Sequence, residues 1–222
     1  MEPGSGPKLD ICGLVLVPAV LTLAITLLRL GGELLHWSPR LFNPAAGGGF
    51  AIVGISWLPF VLGPYFAIKL ARAGHGACSP WKAFALSVLG LLIVIGGGFL
   101  GFAPRLQFPG KQVVGYIVMV LGAAVIAWGW PALFKVLVAY GYAARVPVVI
   151  IMFLALRGHW GTHYDALPAH YVGPASFAGL YLQVAFLPQM VSWIVFTVLV
   201  GALFGTFLSA LVVGGRAPVP AA

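Results

Sequence analysis

Long apolar runs, separated by short clusters of Gly, Pro and charged residues, set the plan of this chain. The first runs from Ile11 to about Leu28, reaching toward Leu35, and closes on Arg29-Leu30-Gly31-Gly32-Glu33. No small-residue A-x-A cleavage site follows it, so it reads as a retained span rather than a signal peptide. A second run, roughly Phe50–Leu70, follows a turn-rich stretch from Ser38-Pro39 to Gly49. The third, Ala83–Gly101, lies between Ser79-Pro80 and Pro104. Val113–Leu156 is too long for one crossing and suits two, with a turn at Gly129-Trp130-Pro131 or at Tyr140-Gly141-Tyr142. The last, Ser176–Val213, exceeds one bilayer; Pro188 is expected to break it, leaving Ser176–Leu187 at the interface or crossing at a tilt.

A run of roughly 18 or more apolar residues is a membrane-span candidate, because ~20 residues rising ~1.5 Å each match a ~30 Å hydrocarbon core. The runs are continuous rather than alternating, which selects helices over barrel strands. The predicted fold is all-α, a polytopic transmembrane helical bundle of about six helices. Residues 1–10 form a polar lead, 11–213 a single transmembrane domain, and 214–222 a disordered tail. Composition agrees, with 61% of residues hydrophobic and only 7% charged. The loops are too short for a soluble catalytic domain.

A net charge of +8 raises nucleic acid as a partner, but the 12 Lys and Arg residues stand singly, with no basic run to track phosphates. They fit contact with lipid headgroups and the positive-inside rule. Lys69, Arg72 and Lys82 form the densest basic cluster. Placing that cluster in the cytoplasm puts both termini there, in what reads as the cytoplasmic membrane of a prokaryote. Cys12 and Cys78 then lie near the cytoplasmic side, where thiols stay reduced.

Few residues are equipped for chemistry. The loop Arg157-Gly158-His159-Trp160-Gly161-Thr162-His163-Tyr164-Asp165, followed by His170, gathers imidazoles and a carboxylate. His159, His163, Asp165 and His170 are therefore a candidate metal set, although their spacing matches no metal motif. An interfacial loop rich in amphipathic side chains accounts for the same residues. Asp165 could also pair with Arg157. Glu33 is an ionisable group at the end of a span, with Arg29 four residues before it on the same helical face.

Arg145 is a cytoplasmic anchor if the turn falls at Gly141 and a mid-membrane charge if it falls at Pro131. Insertion energetics favour the anchor. Pro59 and Pro64 would interrupt the second helix, as in the discontinuous helices of transporters. Thr197, Gly201, Gly205 and Ser209, with Gly97 and Gly101, form small-residue faces for helix packing.

The segment Pro131-Ala132-Leu133-Phe134-Lys135-Val136-Leu137-Val138-Ala139-Tyr140-Gly141-Tyr142-Ala143-Ala144-Arg145-Val146-Pro147 is similar to the basic, Tyr/Gly, then Pro pattern at a helix start in the Yip family of polytopic membrane proteins. That resemblance covers under a tenth of the chain. It implies a non-enzymatic protein with a cytoplasmic N-terminus, in a family whose eukaryotic members serve vesicle trafficking with small GTPases. It transfers no functional residue. No cofactor is expected beyond a metal at the His159–His170 loop. The leading expectation is a non-catalytic accessory subunit or scaffold, with the lipid bilayer and membrane-protein partners or further copies of itself around it. Scarce polar residues at membrane depth support that reading. A permease using Glu33, Pro59, Pro64 and Arg145 is the alternative, and a metal- or haem-dependent enzyme at the histidine loop a third.

Overall fold

The structure, a computed structural model, describes residues 8–48, 51–169, 171–174 and 176–214. Most of the polar lead, the tail from residue 215 and the metal candidate His170 lie outside the described residues. Among the described residues all regular structure is helical. Six helices carry the chain: α1 (Ile11–Leu34), α2 (Leu58–Arg72), α3 (Pro80–Phe102), α4 (Lys111–Gly129), α5 (Pro131–Gly158) and α6 (Phe177–Val212). All but α2 are long and apolar enough to cross a membrane. This is a multi-pass integral membrane protein.

Three boundaries differ from those expected. Helix α2 starts at Leu58 rather than near Phe50, because Gly54 and Pro59 punctuate the segment. Pro59 takes an early helical position, where no intrahelical donor is lost. Pro64 lies inside α2 without ending it. The turn in the long middle run falls at Trp130, and α5 continues through Gly141 and past Pro147 for 28 residues. Proline at the first helical position is a natural start, whereas a helical glycine costs only about 1 kcal/mol. Trp130 is fixed there by its indole N–H, which donates to the His75 carbonyl over 2.7 Å. Arg145 therefore lies mid-helix, away from the turn that the anchor reading required.

Pro188 does not break α6. Wide turns absorb it instead, with the Leu187 N–H reaching back to the Leu182 carbonyl and the Trp193 N–H to the Pro188 carbonyl. Such i→i+5 turns insert a residue and re-aim the side chains that follow.

The chain divides into two compact units, residues 1–15, 59–139 and 195–222 in one, and 16–58 and 140–194 in the other. In the first unit, close backbone approach does the packing. A Cβ at Gly63 of α2 would overlap the Gly201 carbonyl of α6, and one at Gly205 would come within 2.8 Å of the Gly63 carbonyl. On α3, a Cβ at Gly97 would meet the Met119 backbone of α4 at 2.8 Å, and one at Gly101 would meet Gly115 at 3.0 Å. Gly97, Gly101, Gly201 and Gly205 thus serve contacts within the chain, where the lack of a hydrophobic drive in lipid puts a premium on such approach. Thr197 is buried on the same helix as Gly201, and Ser209 is half-buried.

Contacts inside each unit also fix helix directions. In the second unit Thr22 meets Tyr140, and Glu33 meets His163 just beyond the end of α5, so α1 and α5 run parallel. In the first unit Gly63 meets Gly201 while Ala67 meets Gly205, so α2 and α6 run parallel. Parallel spans require an odd number of crossings between them. The α1–α5 pair has an odd number of crossings between it only if the 15-residue α2 also crosses, which makes six crossings.

Two neighbouring glycines separate packing from composition. Gly97→Leu should destabilise by about 1–3 kcal/mol or more through overpacking. Gly98→Leu, where a Cβ meets nothing within 4 Å, should stay within about 0.5 kcal/mol of the parent. Denaturation of both variants in mild detergent checks the contrast; equal losses would show that α3 does not press on α4 at Gly97.

Candidate functional site

Four polar residues of α1, Thr22, Thr26, Arg29 and Glu33, recur at helical spacing in an otherwise apolar helix and therefore share one face. All four are buried. The threonine hydroxyls satisfy themselves on the preceding turn, Thr22 on the Pro18 carbonyl at 2.7 Å and Thr26 on the Thr22 carbonyl at 2.9 Å. Thr22 Oγ1 also lies 2.9 Å from the Tyr140 hydroxyl.

At the end of this face is a charge network. Arg29 Nε donates to Glu33 Oε1 at 2.8 Å, and its Nη2 donates to the carbonyls of Asn43 and Gly48 at 3.1 and 3.0 Å. One guanidinium thus ties a helix to the irregular segment that follows it. A Cβ at Gly48 would come within 2.8 Å of the guanidinium, so glycine there makes room for the charge. Glu33 is held a second time from the loop after α5. The His163 backbone N–H donates to Oε2 at 2.8 Å, and its ring Nδ1 lies 2.6 Å from Oε1. The Glu33 side chain is wholly removed from solvent. Breaking one side of such a buried pair costs about 3–5 kcal/mol, far more than an exposed i,i+4 pair contributes.

The loop itself is self-capped. Asp165 accepts from the Gly161 and Thr162 backbone N–H groups and from the Thr162 hydroxyl, at 2.9, 2.8 and 2.7 Å. Burial would raise its carboxyl, but these donors prevail and hold it below the usual carboxylate range. Arg157 lies over the Phe153 and Phe177 rings rather than against Asp165. Burial pushes the Tyr164 hydroxyl up, so it remains a donor, to the Thr26 carbonyl at 3.3 Å. Its ring centroid lies 3.9 Å from that of His163. His159 is exposed with a left-handed backbone. Among the described residues no three His, Cys, Asp or Glu side chains converge as a metal set. His163 goes to Glu33, Asp165 to backbone, and His159 to solvent.

Deeper in the same unit, Arg145 is buried at 5% exposure in the middle of α5. Its Nη1 donates to Gln189 Oε1 at 3.2 Å, and its guanidinium carbon lies 4.3 Å from the Trp193 ring centroid. Its Nε is buried without a hydrogen-bond partner. Pro59, at the start of α2, is buried, and Pro64 is half-buried; both belong to the first unit. Of the four candidates for a solute pathway, Glu33 and Arg145 lie in one unit, and the prolines in the other.

Sequence reasoning missed Thr22, Thr26, Tyr140, Tyr164, Gln189 and Trp193. The first two were available as a polar stripe on α1 continuing into Arg29 and Glu33. The others depend on tertiary placement.

Compared with known proteins, the chain matches no protein-family model, no curated protein and no solved structure.

Burial pushes the His163 imidazole below its ordinary value of 6.5, against the pull of Glu33. The ring is therefore neutral at neutral pH and donates its Nδ1–H to the carboxylate. Its contribution to folding is present above the ordinary value and is lost as pH falls through the lowered one. Thermal stability in detergent should fall as pH drops below the ordinary imidazole value of 6.5, and His163→Gln should flatten that slope. Equal slopes in the two proteins would remove His163 from the acid response.

Proposed function

We propose that this protein is a small-solute permease coupled to proton movement, with Glu33 and His163 as the proton-accepting pair. The observation that carries the reading is the solvent-free Glu33 carboxylate, placed in a membrane-spanning helix and shared by Arg29 and the His163 ring. A carboxylate wholly removed from water at the end of a membrane span is expensive, and proton relays are among the functions that retain one. Protonating Glu33 would weaken its hold on Arg29 and on His163 together. Those two contacts fasten the segment after α1 and the loop after α5, so one proton bears on two connections.

The accessory-subunit reading drew on the scarcity of polar groups at membrane depth. Arg145 and Gln189, buried within α5 and α6, and the buried Arg29–Glu33 pair at the end of α1 move the balance toward transport. Arg29, Asp165 and the Tyr164 ring surround the pair and set its field. With the basic cluster Lys69, Arg72 and Lys82 in the cytoplasm, six crossings put both ends of the chain there. The Glu33–His163 pair then faces the outer side of a prokaryotic cytoplasmic membrane, where an inward gradient delivers protons.

Proteoliposomes holding the full chain and an internal pH dye test this. Organic acids, amino acids and sugars are added in turn, and a solute-dependent acidification absent from empty liposomes is the expected signal. Glu33→Gln should abolish that proton-linked uptake while retaining exchange of labelled for unlabelled solute. Proton-linked uptake that is intact in Glu33→Gln would sink the proposal.

A further inference from the structure

Among the described residues Arg145 has a full positive charge and no countercharge. A guanidinium does not deprotonate in proteins, and at 5% exposure this one sits in the middle of the 28-residue α5. Among the described carboxylates, Asp10 caps the Gly13 N–H, Glu33 is held by Arg29 and His163, and Asp165 is taken by its own loop. None pairs with Arg145. What surrounds it is neutral: the Gln189 amide, the Trp193 ring and the hydroxyls of Tyr140 and Tyr164.

The way Gln189 binds is informative. It accepts from Nη1, the nitrogen on the Cδ side of the guanidinium. The opposite edge, which begins with Nε, is the one that meets a carboxylate with two parallel N–H···O bonds. On that edge Nε is buried and has no partner. The Gln189 amide is itself held in place, its Nε2 donating to Met152 Sδ at 3.6 Å. Gln189 projects from one of the wide turns of α6, and such turns recur at functional sites because they re-aim side chains. The fork is therefore oriented from one side, with its Nε left unpartnered on the other.

We infer that Arg145, oriented by Gln189 and Trp193, is the binding site for the carboxylate of a small organic monoanion. One unpaired cation among neutral groups balances one negative charge, which disfavours a phosphate dianion. The planar fork suits a planar carboxylate, and the Trp193 ring gives the organic part an apolar neighbour. The assignment rests on the permease reading for what becomes of the ligand, so binding is measured apart from transport.

The full chain in lipid nanodiscs is titrated calorimetrically with benzoate and pyruvate, with benzamide as the uncharged control and inorganic phosphate as the competing anion. Saturable binding of the carboxylates, no binding of benzamide and weaker binding of phosphate are expected. Arg145→Lys keeps the charge but not the fork, and should weaken carboxylate binding about tenfold or more. Arg145→Gln should abolish it, and because it removes a buried charge rather than exposing one, it should fold. Absence of saturable carboxylate binding, undiminished binding in Arg145→Lys, or a preference for phosphate or for anionic lipid overturns the site. Labelled pyruvate, ionised and slow to cross bare bilayers, is then followed into proteoliposomes. Binding without uptake leaves the site standing and removes the permease.

Discussion

Hydrocarbon offers no hydrogen bonds, so every polar group inside this protein must be satisfied by the protein, and the second unit is organised around that requirement. Arg29 shows how it is met. Its position in α1 puts a guanidinium against the backbone carbonyls of the connection that follows the helix. Two of those carbonyls, from Asn43 and Gly48, take its Nη2, while Glu33 takes its Nε. The same charge neutralises a carboxylate and caps a loop. Glu33 repeats the device on the other side, accepting both the backbone and the ring of His163. An isolated Arg29–Glu33 pair would contribute only a few tenths of a kcal/mol on an exposed helix. Enclosed with five further polar contacts to two connections, it fixes the geometry of everything at the end of α1.

The first unit meets the same solvent by other means. It buries small residues rather than charges, and backbone meets backbone at Gly63, Gly201 and Gly205 and again at Gly97, Gly101 and Gly115. Where helices have little hydrophobic reason to associate, close approach supplies van der Waals contact in its place. The two units thus use the two resources that lipid leaves available, polar satisfaction and tight packing. The candidate chemistry gathers in the unit built on the first.

The span pattern was legible from the apolar runs, because twenty residues without a charge have few other destinations. The small-residue faces were legible too, since glycine at every fourth position in a span has little use except contact. What stayed hidden was whatever depended on one helix's register against another. Gly141 and Trp130-Pro131 offered two turns, and local energetics favoured the one that kept Arg145 out of the membrane. An arginine on an isolated helix has no partner at that depth. In the folded chain Gln189 and Trp193, more than forty residues away, reach Arg145 from the wide turns of α6. The histidine loop depends on tertiary placement in a related way. His159, His163 and Asp165 read as a set because they are close in sequence, yet a left-handed residue and a self-capping turn send them in three directions. The partner of His163 is Glu33, 130 positions earlier.

The two buried arginines make the functional argument by comparison. Arg29 has a carboxylate and two carbonyls, and its surroundings account for it completely as a structural element. Arg145 has one amide, one aromatic face and an orphaned Nε. A chain with 12 basic and four acidic residues had leucine, methionine or phenylalanine available at that depth, any of which would be cheaper than an unbalanced cation. Stability therefore does not explain Arg145, and the wide turns that bring Gln189 to it add a departure from regular helix at the same place. Two local costs that converge on one guanidinium are what a site looks like when its ligand completes it: the missing charge and the missing acceptor are supplied by the same group.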